Sequence, residues 1–154
     1  MSMITENVAQ IRSRIAAAAR AAGRDPADIR LCAATKMNDS AAVREAIAAG
    51  VDCCGENRVQ ELVKKLDEHA YDGAPVHFIG ALQRNKVRQV VGQVDVIESV
   101  DRRELLADIN AEAAKRGIVQ DILLEINAGG DKQKSGYLLK EIPRIVEEIA
   151  YYPA

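Results

Sequence analysis

Lys36 has the most direct route to covalent chemistry in this chain. It lies just beyond the short apolar stretch Ile29–Ala34 and Thr35. Partial burial at the end of a strand favours a neutral lysine amine, and a neutral amine attacks a carbonyl to form a Schiff base. From position alone, a solvated loop lysine is the plainer alternative. Glu56 and Asn57 follow a second apolar stretch, and there Asn57 either hydrogen-bonds a ligand or caps the next helix. His77 sits in a third stretch, on the same face as Ile79 by alternation; it either contacts a ligand or is a satisfied core histidine. His69 stands at a helix end, as a partner for the helix dipole.

Two loops could bind anions. Gln83-Arg84-Asn85-Lys86-Val87-Arg88 brings three cations to the start of a helix, which suits an anion or a solvated face. Asn127 through Tyr137 contains Gly129, Gly130 and Gly136 with Lys132 and Lys134. Such a loop lets backbone N–H groups approach an anion, or is a flexible loop or mobile lid. It is not a G-x-x-x-x-G-K-[ST] phosphate loop.

These segments share one position in the chain pattern, because each follows a short apolar strand. A helix over 4–22, with Ile4, Val8, Ile11 and Ile15 at helical spacing, precedes them. Ser2 or Thr5 is its N-cap and Gly23 its end. Strands are expected at 29–34, 51–55, 76–80, 94–99 and 121–127. Helices are expected at 41–49, 59–69, 84–91, 102–116 and 140–151, with Asp39 or Ser40 capping the first of these. Strand–helix alternation means a parallel sheet. Ligands of such folds bind at the C-terminal ends of the strands, so the five loops are expected to share one rim. No GxGxxG follows the first strand, which disfavours a dinucleotide-binding sheet. The fold class is therefore α/β: the first five βα units of a (β/α)8 TIM-type barrel preceded by an N-terminal helix, read as one partial domain over 1–154. An open five-stranded sheet is the alternative.

Bulk composition narrows the function. The 154 residues carry a formal net charge of -2 and 3% aromatics, which points away from nucleic acid. Cys32, Cys53 and Cys54 are odd in number, two of them adjacent, and all three fall on strands expected to be buried. They suggest neither a disulfide framework nor a metal site. The N-terminus lacks the apolar core of a signal peptide, and no stretch reaches the length of a membrane span. Cytoplasm is the expected location.

Leu31-Cys32-Ala33-Ala34-Thr35-Lys36, Gly55-Glu56-Asn57-Arg58-Val59-Gln60-Glu61 and His77-Phe78-Ile79-Gly80-Ala81-Leu82-Gln83-Arg84-Asn85-Lys86 occur in this order. Ser99-Val100-Asp101 and Lys134-Ser135-Gly136 follow. Over nearly its whole length the chain resembles the pyridoxal 5′-phosphate homeostasis protein family, whose fold is the alanine racemase N-terminal barrel. The resemblance implies that Lys36 forms the Schiff base with pyridoxal 5′-phosphate. It also implies that Asn57 and His77 lie at the cofactor and that Lys134 lies at the pocket rim. The implied role is a non-catalytic carrier that serves intracellular cofactor homeostasis, with pyridoxal-phosphate-dependent apoenzymes as possible recipients. An amino-acid racemase and a non-binding fragment are the alternatives. Thr35, Asn38-Asp39, Ala81 and Arg84 depart from the usual family residues. In the family, loops of the sixth to eighth strands grip the cofactor phosphate; these lie beyond Ala154, so the 154 residues alone are expected to bind weakly.

Overall fold

The computed structural model describes residues 2–154. Five strands form one sheet: β1 (Cys32–Ala34), β2 (Cys53–Glu56), β3 (Val76–Phe78), β4 (Val96–Val100) and β5 (Asp121–Leu124). Their spatial order is β1-β2-β3-β4-β5, the order in the chain. The registered pairs Cys32↔Cys53, His77↔Val96 and Val96↔Asp121 belong to parallel ladders. A doubly wound sheet reverses direction at a switch point. A strand order without reversal is that of a barrel wall, and it is the arrangement expected from the sequence.

The chain forms two compact units, 1–76 and 77–154. In the first, α1 (Met3–Ala21) is capped by Ser2, whose side chain accepts the Thr5 N–H, and ends before Gly23 at φ 69°. Asp39 caps α2 (Ser40–Ala48). Helix α3 (Val59–Asp67) buries Val59, Leu62 and Lys65 on one stripe. The core of this unit includes Val8, Val43, Cys54 and Leu62. In the second unit, α4 (Arg103–Arg116) ends at Gly117 in the left-handed region and buries Leu105, Leu106, Ile109 and Ala113. Phe78 and Ile97 are fully buried and sit in register.

The structure corrects several expectations. β1 covers only 32–34 rather than 29–34, and Cys32 is exposed, not buried. β1 pairs with β2 over these three residues. The helix expected at 84–91 is a 3-10 helix over Arg84–Gln89. Its ends carry three-residue hydrogen bonds, Lys86 N–H to the Gln83 carbonyl at 2.9 Å and Val90 N–H to the Val87 carbonyl at 3.0 Å, the spacing of three residues per turn. The strand expected at 121–127 breaks at Glu125. After the break β6 (Ile126–Asn127) pairs in parallel with β7 (Tyr137–Leu138). The last helix shortens to α5 (Ile142–Glu148), with 3-10 turns on both sides.

One buried ion pair fixes the end of β1. Glu56 is fully buried at the end of β2 and Lys65 is 5% exposed. Their Nζ–Oε1 distance is 2.5 Å. The same ammonium donates to the Thr35 carbonyl at 2.7 Å, and the Thr35 hydroxyl donates to Glu56 Oε1 at 2.7 Å. Lys65→Met leaves the Glu56 charge buried without its partner and is expected to cost about 3–5 kcal/mol in urea unfolding. Replacing both members by apolar residues (Glu56→Leu with Lys65→Met) is expected to cost less than the single change. Gly136 (φ +108°) closes β6 on β7, and a Cβ there would lie 2.7 Å from the Asn127 backbone nitrogen. Gly136→Ala is therefore expected to open the 128–135 loop, seen as faster proteolysis of that loop with the rest of the chain intact.

Candidate functional site

Lys36 sits in a turn immediately after β1 and is exposed, not partly desolvated as its position at a strand end had suggested. Its backbone is held tightly. On one side, the Thr35 carbonyl accepts from Lys65 Nζ at 2.7 Å and from the Asn38 N–H at 3.2 Å. On the other, the Met37 N–H donates to Glu61 Oε2 at 2.8 Å. The Asn38 side chain donates to the Lys36 carbonyl at 3.0 Å. Met37 adopts φ 62°, a left-handed conformation that costs a non-glycine residue about 1–3 kcal/mol and persists only where its surroundings impose it. Among the described residues, the Lys36 side chain has neither an ion pair nor a hydrogen bond. The Met37 N–H, with Lys65 and Arg58 nearby, holds the Glu61 carboxyl below the usual carboxylate range.

Beneath this turn lies a buried polar cluster. Burial, with the Glu56 carboxylate beside it, raises the Tyr71 hydroxyl well above its ordinary value. That hydroxyl lies near Glu56 and Thr35 but makes no hydrogen bond of proper geometry. Burial also pushes the Cys54 thiol up to about 11, so it stays protonated and unreactive at neutral pH. Asn57 does not cap α3: the N-cap is Arg58, which makes no side-chain capping bond. The Asn57 Oδ1 is instead buried with no hydrogen-bond partner, an acceptor left open at the end of β2.

In the second unit, His77 Nδ1 lies 2.6 Å from Glu98 Oε1. The two residues project from the same face of β3 and β4, where Val96 stands opposite His77. Lys134 lines a cleft of about 490 Å³ with Glu125, Asn127, Asp131 and Ser135. Asn127 organises that loop, donating to the Asp131 and Lys134 carbonyls at 2.7 and 3.1 Å and accepting from the Asp131 N–H. This is a pinned loop rather than a flexible one. The Lys36 turn has a different setting: Thr35 and Asn38 line a smaller apolar groove of about 170 Å³ beside β1. The basic run proves structural at Arg84, which grips Asp108 through two nitrogens at 2.5 and 3.1 Å. His69 follows α3 with φ 53° and lies 3.6 Å from Asp72. Lys36 and Asn57 thus belong to the first unit, and His77 and Lys134 to the second.

Sequence reading passed over Glu61 and Lys65. A signal was present, because Lys65 falls on the stripe of Val59 and Leu62, where an apolar residue is expected. Glu61 lies one turn before it, at ion-pairing distance along the helix. Among the described residues no group of three His, Cys, Asp or Glu side chains could hold a metal ion, and no helix is long and apolar enough to cross a membrane.

Known proteins are similar to this chain in sequence and fold. The family model described as alanine racemase, N-terminal domain, matches residues 6–154. The chain is 38% identical over 153 residues to the pyridoxal phosphate homeostasis protein of Pseudomonas aeruginosa, covering 99% of this chain and 66% of that protein. Identity to the pyridoxal phosphate homeostasis protein of Escherichia coli K12 is 36% over 156 residues, covering 99% and 67%. The solved structure of PipY from Synechococcus elongatus with PLP bound superposes with a TM-score of 0.79 at 28% identity, over 97% of this chain and 65% of that one. The chain therefore spans about two thirds of the length of these relatives. With five parallel strands in chain order and a lysine just past the first, the chain belongs to the alanine racemase N-terminal domain family, among its pyridoxal phosphate homeostasis proteins.

Proposed function

We propose that this chain holds pyridoxal 5′-phosphate on Lys36 as a Schiff base and serves cofactor homeostasis in the cytoplasm rather than turning over a substrate. The cofactor supplies an aldehyde, which condenses with a primary amine and releases one water. The observation that carries the reading is the Lys36 turn. An amine with no competing partner stands at the C-terminal end of a parallel strand, and the peptide groups on both sides of it are fixed. Asn57 adds a buried acceptor with an unused lone pair, suited to a donor on a ligand. His77, oriented by Glu98, and Lys134, at the rim of its cleft, are the other cofactor-contacting residues in this reading.

The relatives support the binding role. Two carry the name of pyridoxal phosphate homeostasis proteins, and PipY is solved with PLP bound. Neither name describes turnover, in keeping with a carrier. The recipients in this proposal are apoenzymes that present a lysine of their own, because the Schiff-base bond is reversible by exchange with a second amine.

Borohydride reduction tests the reading without depending on tight binding, since it traps even a weakly populated adduct. Incubation with pyridoxal 5′-phosphate followed by borohydride is expected to place one phosphopyridoxyl group on the peptide containing Lys36, and Lys36→Ala is expected to remove it. Label spread over surface lysines with none at Lys36 would overturn the assignment.

A further inference from the structure

Helix α3 presents Glu61 and Lys65 one turn apart, with 3.6 Å between Glu61 Oε2 and Lys65 Nζ. The two side chains act on opposite sides of one residue. Lys65 Nζ holds the carbonyl that precedes Lys36, at 2.7 Å, and Glu61 Oε2 holds the amide N–H that follows it, at 2.8 Å. Lys65 is itself anchored by the buried Glu56 at 2.5 Å. We propose that Glu61 and Lys65 are positioning residues that form a charge-paired clamp, fixing the backbone of the Lys36 turn and thereby the direction in which its amine is presented to an aldehyde. This deepens the Schiff-base reading and rests on it for the chemistry, though not for the geometry.

The physical argument concerns where freedom is removed. A lysine side chain has four rotatable bonds, so its amine explores a wide volume unless its root is fixed. Fixing the root confines that volume and lets the few remaining rotamers meet an incoming aldehyde in a productive orientation. The strained φ of Met37 is the mark of this constraint, because an unclamped turn would relax out of it. A clamp made of opposite charges also has a fixed sense: the cation takes only the carbonyl and the carboxylate only the N–H. The turn is therefore held in one orientation, without a flipped alternative.

Lys65 substitutions also leave Glu56 buried and unpaired, so the decisive variant is Glu61→Ala, at a partly exposed position. Two readouts apply to the full chain. Without cofactor, the Met37 amide is expected to exchange with solvent deuterium faster in Glu61→Ala, while amides of the α3 core keep wild-type protection. With pyridoxal 5′-phosphate and borohydride, labelling of Lys36 is expected to slow on the order of tenfold, with labelling of other lysines unchanged. Glu61→Gln, whose carbonyl can still accept the Met37 N–H, is expected to restore most of both. Wild-type labelling of Lys36 in Glu61→Ala would overturn the clamp. If the wild-type chain itself shows no label at Lys36, the Schiff-base reading fails. The clamp is then judged by exchange alone, and unchanged Met37 exchange in Glu61→Ala would overturn it.

Discussion

The contact between the Lys65 ammonium and the Glu56 carboxylate, in an interior that almost excludes water, is the constraint on which the first unit turns. Two such charges are expensive to desolvate, and their attraction offsets that cost only when the remaining hydrogen-bonding capacity is also used. Much of it is used here. Lys65 adds the Thr35 carbonyl and stands near Glu61, and Glu56 Oε1 adds the Thr35 hydroxyl. Glu56 Oε2 has no hydrogen-bond partner. The pair is thus better suited to specifying a geometry than to adding net stability. The geometry it specifies is the end of β1, a strand of three residues with few ladder bonds of its own. Without a side chain reaching up from α3, so short a strand would have little to define where its last residues point.

Such a device is placed where the strand itself offers little hold. β1 has three residues, and its ladder to β2 registers only from Cys32 to Ala34. The lysine proposed to carry the cofactor follows directly. Charged anchoring from the second βα unit adds hydrogen bonds to both the carbonyl and the hydroxyl of Thr35.

The alternation of strands and helices and the stop at Gly117 were legible in the sequence, and Ser2 and Asp39 each stood as one of two candidate caps, because such features rest on local chemistry that side chains announce. Strand ends were less so. The run Ile29–Leu31 is as apolar as a strand, yet the ladder to β2 registers only from Cys32. Pairing partners, not composition, set that limit. Cys32 is exposed where burial was expected, because the packing around a strand is tertiary and composition does not announce it. The loop after β5 looked flexible from its glycines. Its order comes from Asn127 bonding to residues four and seven positions on, a tertiary arrangement with no signature in composition. Lys36 and Asn57 are candidates on their strings alone, but the means of holding the Lys36 turn is not visible there. That required knowing that a helix packed on β2 sends the unexpected lysine of its apolar stripe to the carbonyl just past β1.

The distance in sequence between the lysine and its anchor has a consequence for synthesis. Thr35 and Lys65 are 30 residues apart, and the chain emerges from the ribosome N-terminus first. Lys36 therefore leaves the ribosome before α3 is free to dock and hold its turn. During that interval its turn is not yet held by Lys65 and Glu61. Its particular geometry arises only when the second βα unit has been made and has docked, so the maturation of this one side chain reports on the folding of the segment that follows it.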